Sequence, residues 1–137
     1  MRKRVIDIIA ATATLGKNQS GSLIVLNRAA GIVVTLPSPG RGLEYEFIVK
    51  TAVTSNVYSI TKSGTSFIRG EIIVASSGDP GKMFVGNGST HITISMSGST
   101  TGGLVGTHIK LVCDNDGIWE ATGFASGSGT VATPFST

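Results

Sequence analysis

Residues 42–50 read Gly42-Leu43-Glu44-Tyr45-Glu46-Phe47-Ile48-Val49-Lys50, and their alternation decides the fold class. Leu43, Tyr45, Phe47 and Val49 share one parity, and Glu44, Glu46, Ile48 and Lys50 share the other. Successive side chains of an extended chain point to opposite faces, so the pattern predicts a strand with one face in a core. The period of two returns at Ile92, Ile94 and Met96 and at Ile109, Leu111 and Cys113, each alternating with polar or smaller residues. Shorter apolar runs stand at Leu23 to Leu26, Ile32 to Leu36, Phe67 to Val74 and Met83 to Val85.

Turn chemistry separates these runs at Ala30-Gly31, Pro37-Ser38-Pro39-Gly40, Ser63-Gly64, Gly78-Asp79-Pro80-Gly81, Gly86-Asn87-Gly88 and Asp116-Gly117. No window carries a helical stripe, and the β-branched content of Val5 to Leu15 favours strand over helix. The expected fold is all-β, a jelly-roll-like sandwich or barrel of about eight to ten short antiparallel strands with an N-terminal arm. Residues 1–15 form the arm and first strand, 16–123 the body, and 124–137 a Gly/Ser/Thr-rich tail that is flexible or ordered only against a neighbour. No repeat of fixed period is visible in the sequence.

The 137 residues suit one domain, and by area scaling roughly two-thirds of the chain's surface is buried on folding. Residues 2–4, Arg-Lys-Arg, hold three of the eleven basic residues; the other eight balance the eight acidic ones. The net charge of +3 therefore belongs to the arm, and the body is not a nucleic-acid-binding face. Only 14% of residues are charged, so polarity comes mainly from 19 glycines, 16 serines and 16 threonines. Such a charge-poor surface favours assembly with partners.

Chemistry-bearing residues are few. Cys113 is the single cysteine and reads as a small hydrophobe in a strand. His91 and His108 lie on the polar side of their strands without carboxylates at ligand spacing, so no metal or other cofactor is expected. Asp114-Asn115-Asp116-Gly117 opens like a calcium loop, but Ile118 and Ala125 fall where later ligands belong, and a hairpin turn is the better reading. Glu44 and Glu46 share a strand face as solvated carboxylates. No phosphate-binding loop, dinucleotide fingerprint or nucleophile elbow is present, and no enzyme activity is expected. The aromatics Tyr45, Phe47, Phe67 and Trp119 read as core residues, not a base-stacking platform, so no direct nucleic-acid binding is expected. Asp7 interrupts the apolar run Val5 to Ala13, which argues against a signal peptide and for synthesis in the cytoplasm. No stretch is long enough to span a membrane.

Two segments are more specific. Ala29-Ala30-Gly31 leads to Val34-Thr35-Leu36-Pro37, a Pro/Gly loop and then Gly42 to Ala52, and Asp116-Gly117-Ile118-Trp119-Glu120-Ala121-Thr122-Gly123 forms a Trp-bearing strand near the end. Over residues 20–62 and 104–123 this resembles the capsid decoration, or cement, proteins of tailed bacteriophages. The resemblance implies a homotrimer on the outside of the virion capsid that clamps neighbouring major capsid subunits. In that setting Arg2, Lys3 and Arg4, with Val5, Ile6 and Ile8 of the adjoining strand, would contact the capsid protein. A rival expectation is a receptor- or carbohydrate-binding module of a phage head or tail fibre, which would use Tyr58 and Phe135 as exposed aromatics in a groove.

Overall fold

The computed structural model describes residues 2–115 and 117–137, and they form two packed β-sheets with one 3-10 turn at Lys17–Gln19. In chain order the strands are β1 (Val5–Ile8), β2 (Thr12–Thr14), β3 (Leu23–Leu26), β4 (Ile32–Thr35), β5 (Glu44–Val49), β6 (Tyr58–Thr61), β7 (Phe67–Ser76), β8 (Asp79–Asn87), β9 (Thr93–Met96), β10 (His108–Asn115), β11 (Ile118–Ser126) and β12 (Phe135–Ser136). The long sheet has the order β1-β3-β5-β10-β11-β7-β8, and the short one β12-β9-β6-β4-β2.

The first six strands alternate between the sheets, and neighbours within each sheet are parallel. A parallel pair needs a long crossover. Here the crossover from β1 to β3 is β2 in the opposite sheet, the crossover from β2 to β4 is β3, and so on. Residues 5–61 are thus a coil of three turns, each giving one strand to each sheet, as in a β-solenoid. Residues after the coil complete both sheets. β9 adds antiparallel to β6, β10 antiparallel to β5, and β11 lies between β10 and β7, parallel to β7.

The all-β expectation holds, but twelve strands are described instead of eight to ten, and five of the ten pairings are parallel. An all-antiparallel jelly roll does not have that pairing. Alternation reports which face a residue takes; it does not report the direction of the neighbouring strand, so parallel coiling left no trace in the pattern. Segment 5–15 is two strands in different sheets. Segment 78–88 is also reassigned: Ser77 and Gly78 alone link β7 to β8, and Asp79 to Asn87 are strand. Asn115 pairs with Ile118, and Gly117 has φ +87°, as a tight hairpin connection requires; Asp116 of the expected turn lies outside the described residues.

The two inner faces meet in one core. Trp119, Tyr45, Tyr58, Phe47, Ile24, Ile60, Ile68 and Ile94 are fully buried in it, and Cys113 is buried as a small core residue. The Tyr45 and Trp119 rings pack tilted at 49° to one another with centroids 5.9 Å apart. Both buried phenols are satisfied: Tyr45 Oη donates to Gly16 O at 2.6 Å, and Tyr58 Oη donates to Thr51 O while accepting the Arg28 amide at 3.0 Å. Phe67 departs from the core expectation. It shares the outward parity of β7 with Arg69, Glu71 and Ile73 and is half-buried.

The tail also departs from expectation. Residues 124–126 complete β11, and the remainder packs on the chain's own body. Ser76 Oγ donates to Gly129 O at 2.7 Å, Val131 N–H donates to Asp79 Oδ2 at 3.2 Å, and Phe135 of β12 is buried beside β9. Val131 and Phe135 supply the apolar burial that the small residues around them lack. Among the described residues, no helix is long and apolar enough to cross a membrane.

Candidate functional site

The long sheet carries the most distinctive surface of the molecule. Its inner parity is core, so residues of the other parity stand in rows across its outer face. One row is fixed by successive register pairs: Val25 with Ile48, Ile48 with His108, His108 with Phe124, Phe124 with Ile73, and Ile73 with Met83. Five of these six side chains are large and apolar. Phe124 is 62% exposed, and Met83 and its β8 neighbour Val85 are each 60% exposed.

Next to this row, charge is matched within the face. Lys3 Nζ lies 2.8 Å from Glu46 and 3.9 Å from Glu44, Lys110 lies 3.6 Å from Glu44, and Arg69 Nε donates to Glu120 at 2.9 Å. His108 Nε2 also contacts Glu46 Oε2. The hydrogen bond from Lys3, followed by that from His108, holds the Glu46 carboxyl below the usual carboxylate range, and the same bond raises Lys3. Arg69 is raised by its hydrogen bond to Glu120. The patch is therefore apolar with a self-neutralised border, suited to another protein surface and poorly suited to a polyanion.

The residues expected to contact a capsid protein divide into two groups. Arg2, Lys3, Arg4 and Val5 are exposed, with Lys3 tied to the Glu44–Glu46 edge. Ile6 packs against the core and Ile8 is buried in it, because even-numbered side chains of β1 face inward. Ile8 offers no side chain to a partner, and Ile6 is only partly exposed. The two aromatics expected in a carbohydrate groove are likewise internal: Tyr58 and Phe135 are both buried. His91 and His108 do not meet. His91 stacks on Phe135 at 5.7 Å and accepts the Asn87 amide at 3.0 Å, whereas His108 sits on the outer face of the long sheet. Among the described residues no cluster of three or more His, Cys, Asp or Glu side chains could hold a metal ion. A shallow cleft of about 340 Å³ opens between β2, β4 and the segment before β6, but the Arg28 guanidinium at its wall already donates to Gly31 O at 2.8 Å.

Phe124 was the residue that sequence reasoning missed. On β11 the inward parity is Trp119, Ala121, Gly123 and Ala125, and three of those four are small. An apolar residue of outward parity then looks like part of a Gly/Ser/Thr tail. Its signal was the intact period of two continuing from Trp119 through Ala125. Comparison with protein-family models, curated proteins and solved structures finds no match to this chain.

Proposed function

We propose that this chain is a structural virion protein that binds the outside of a tailed-phage capsid as a homotrimer and cements neighbouring major capsid subunits. The observation that carries the reading is the outer-face apolar row, in which Phe124 and Met83 are exposed and Ile48 and Ile73 half-buried, bordered by ion pairs that cancel one another. That surface fits a protein partner, and the resemblance over residues 20–62 and 104–123 supplies the partner's class. The work is mass action. A protein that binds only the assembled shell stabilises it by its binding free energy, about 2.7 kcal/mol per site when present at a hundredfold excess over Kd.

The test is co-sedimentation with empty, expanded capsid shells. Phe124→Asp places a charge on an exposed position, so the fold survives while shell affinity falls at least tenfold. Deleting residues 2–4 lowers affinity less and flattens its salt dependence. No binding to shells by the unaltered protein, together with binding on a glycan array, would replace this reading with a receptor-binding module.

A further inference from the structure

We propose that copies of this chain join edge to edge, the β8 edge of one long sheet pairing antiparallel with the β1 edge of the next. The inference begins with the backbone. Leu23 N–H donates to Arg4 O at 2.8 Å and Asn27 N–H to Ile8 O at 3.0 Å. With Val5 in register with Leu23, even-numbered residues of β1 bond to β3, and the N–H and C=O of Val5 and Asp7 point to the open side. At the far edge, Gly88 N–H donates to Ile68 O at 3.0 Å, continuing the register in which Arg69 faces Asn87. Even-numbered residues of β8 therefore bond to β7, and the backbone groups of Met83 and Val85 point outward. Asn87 has the same parity, and its N–H is closed off by His91 Nδ1. Met83 to Val85 is the open stretch.

Native edges are normally blunted by charge, proline or a covering segment. Here three of the four open residues carry large apolar side chains, Val5 at 58% exposed and Met83 and Val85 at 60% each, and Asp7 is the one charged residue among them. The nearby Lys82 is turned onto Asp79 at 3.2 Å.

The two edges also fit each other. Counting directions across the sheet, β1, β3 and β5 run one way, β10 the other, β11 and β7 with β1, and β8 against it. Copies standing side by side in the same orientation thus present β8 antiparallel to the neighbour's β1. On both edges the residues with open backbone groups have side chains on the outer face, so the pleat continues across the junction. Val5 then faces Val85 of the next copy and Asp7 faces Met83 as hydrogen-bonded pairs. In that register Lys3 and Arg4 stand opposite Asn87 and Gly86, and Lys82 opposite Ile8, so no like charges meet. A β8–β8 or β1–β1 contact would leave the other edge open. The head-to-tail contact uses both, and a closed ring of copies leaves the long sheet without an edge. That the ring holds three copies rests on the proposed shell function; the edge contact does not.

Cysteine cross-linking tests the contact on the full chain. Facing residues of a hydrogen-bonded antiparallel pair have Cα atoms about 5.5 Å apart, within disulfide range. An equimolar mixture of Val5→Cys and Val85→Cys proteins should give covalent dimers on mild oxidation, and neither variant alone should. Dimers from Val85→Cys alone would replace the contact by β8–β8 pairing and overturn the proposal. Light scattering of the unaltered protein at tens of micromolar should give a multiple of 14.0 kDa, and Val85→Lys should return it to 14.0 kDa with unchanged circular dichroism. A monomeric unaltered protein, or an oligomer indifferent to Val85→Lys, would sink it. Neither result depends on shell binding, so failure here and failure of the shell function are separable.

Discussion

Glu46 links three parts of the surface: it takes Lys3 from the segment before β1, His108 from β10, and sits on β5 itself. Its carboxyl is held low by those hydrogen bonds, and Asp79 is held low chiefly by the Val131 amide. A carboxyl whose folded value is depressed contributes stability above its unfolded value of about 4, and that contribution is lost as pH falls through the folded value. Tyr45 and Tyr58 behave in the opposite sense. Burial raises both phenols, so their contribution is complete below the unfolded value of about 10 and is lost as pH rises past it. The melting temperature should accordingly be flat from about pH 5 to 9 and fall on both sides. Glu46→Gln should lower the plateau by a few degrees, as expected for an exposed pair, and should make the acid fall shallower. Thermal melts between pH 2.5 and 11 check both limbs; an acid limb unchanged in Glu46→Gln would remove Glu46 as its source.

At the scale of elements, the parallel pairing of β7 with β11 is the junction that later strands depend on, and it is built on a close backbone approach. Gly70 has φ +125° and faces Ala121 in register; a Cβ there would lie 2.0 Å from the Ala121 carbonyl oxygen. Gly70→Ala should therefore cost more than about 3 kcal/mol or prevent folding. Gly64→Ala, at φ +60° in a turn with nothing within 4 Å, should cost only about 1 kcal/mol. Denaturant midpoints compare the two, and equal losses would show that conformation, not the β7–β11 approach, sets the cost. Glycine also explains which elements were legible. Leu43 to Val49 and Ile109 to Cys113 carry large residues at every second position, so strand and buried face follow directly from the sequence. β8 contains Gly81 and Gly86, which imitate turn punctuation. Gly86 is there for space, since a Cβ would come within 2.8 Å of the Phe135 ring. The coil was hidden for another reason. Val5 meets Leu23 after 18 residues, Leu23 meets Glu46 after 23, and Ile32 meets Tyr58 after 26, so no constant period exists to detect. The candidate surface was half legible: its ion-pairing Glu44 and Glu46 follow from alternation, whereas Phe124 becomes a neighbour of Ile73 only through the parallel β7–β11 register.

Over the whole molecule, the three-turn coil and the strands that follow it are not separable units. Both sheets run through the boundary, with β5 bonded to β10 in the long sheet and β6 to β9 in the short one. The 6445 Å² of accessible surface is close to the ~6,700 Å² expected of a compact protein of 14.0 kDa, so the basic segment at residues 2–4 adds no extended limb. Core residues from the two halves interlock, as Tyr45 of the coil does with Trp119 of β11. Cutting between Thr61 and Phe67 would expose Tyr45, Phe47 and Ile60 on one side and Trp119, Ile109 and Ile94 on the other, and neither side could cover its own apolar face. Unfolding should thus be one cooperative step. In urea, Trp119 fluorescence, which reports the second half, and far-ultraviolet circular dichroism, which reports both, should give the same midpoint and slope. A fragment of residues 1–62 should lack a cooperative transition. Because the pairings are long-range, with Ile118 meeting Phe67 after 51 residues, refolding should fall in the millisecond-to-second range of non-local β topologies. Two separated transitions would mean that the coil folds as its own domain, and the edge at β1 would then belong to a unit that assembles before β8 exists to meet it.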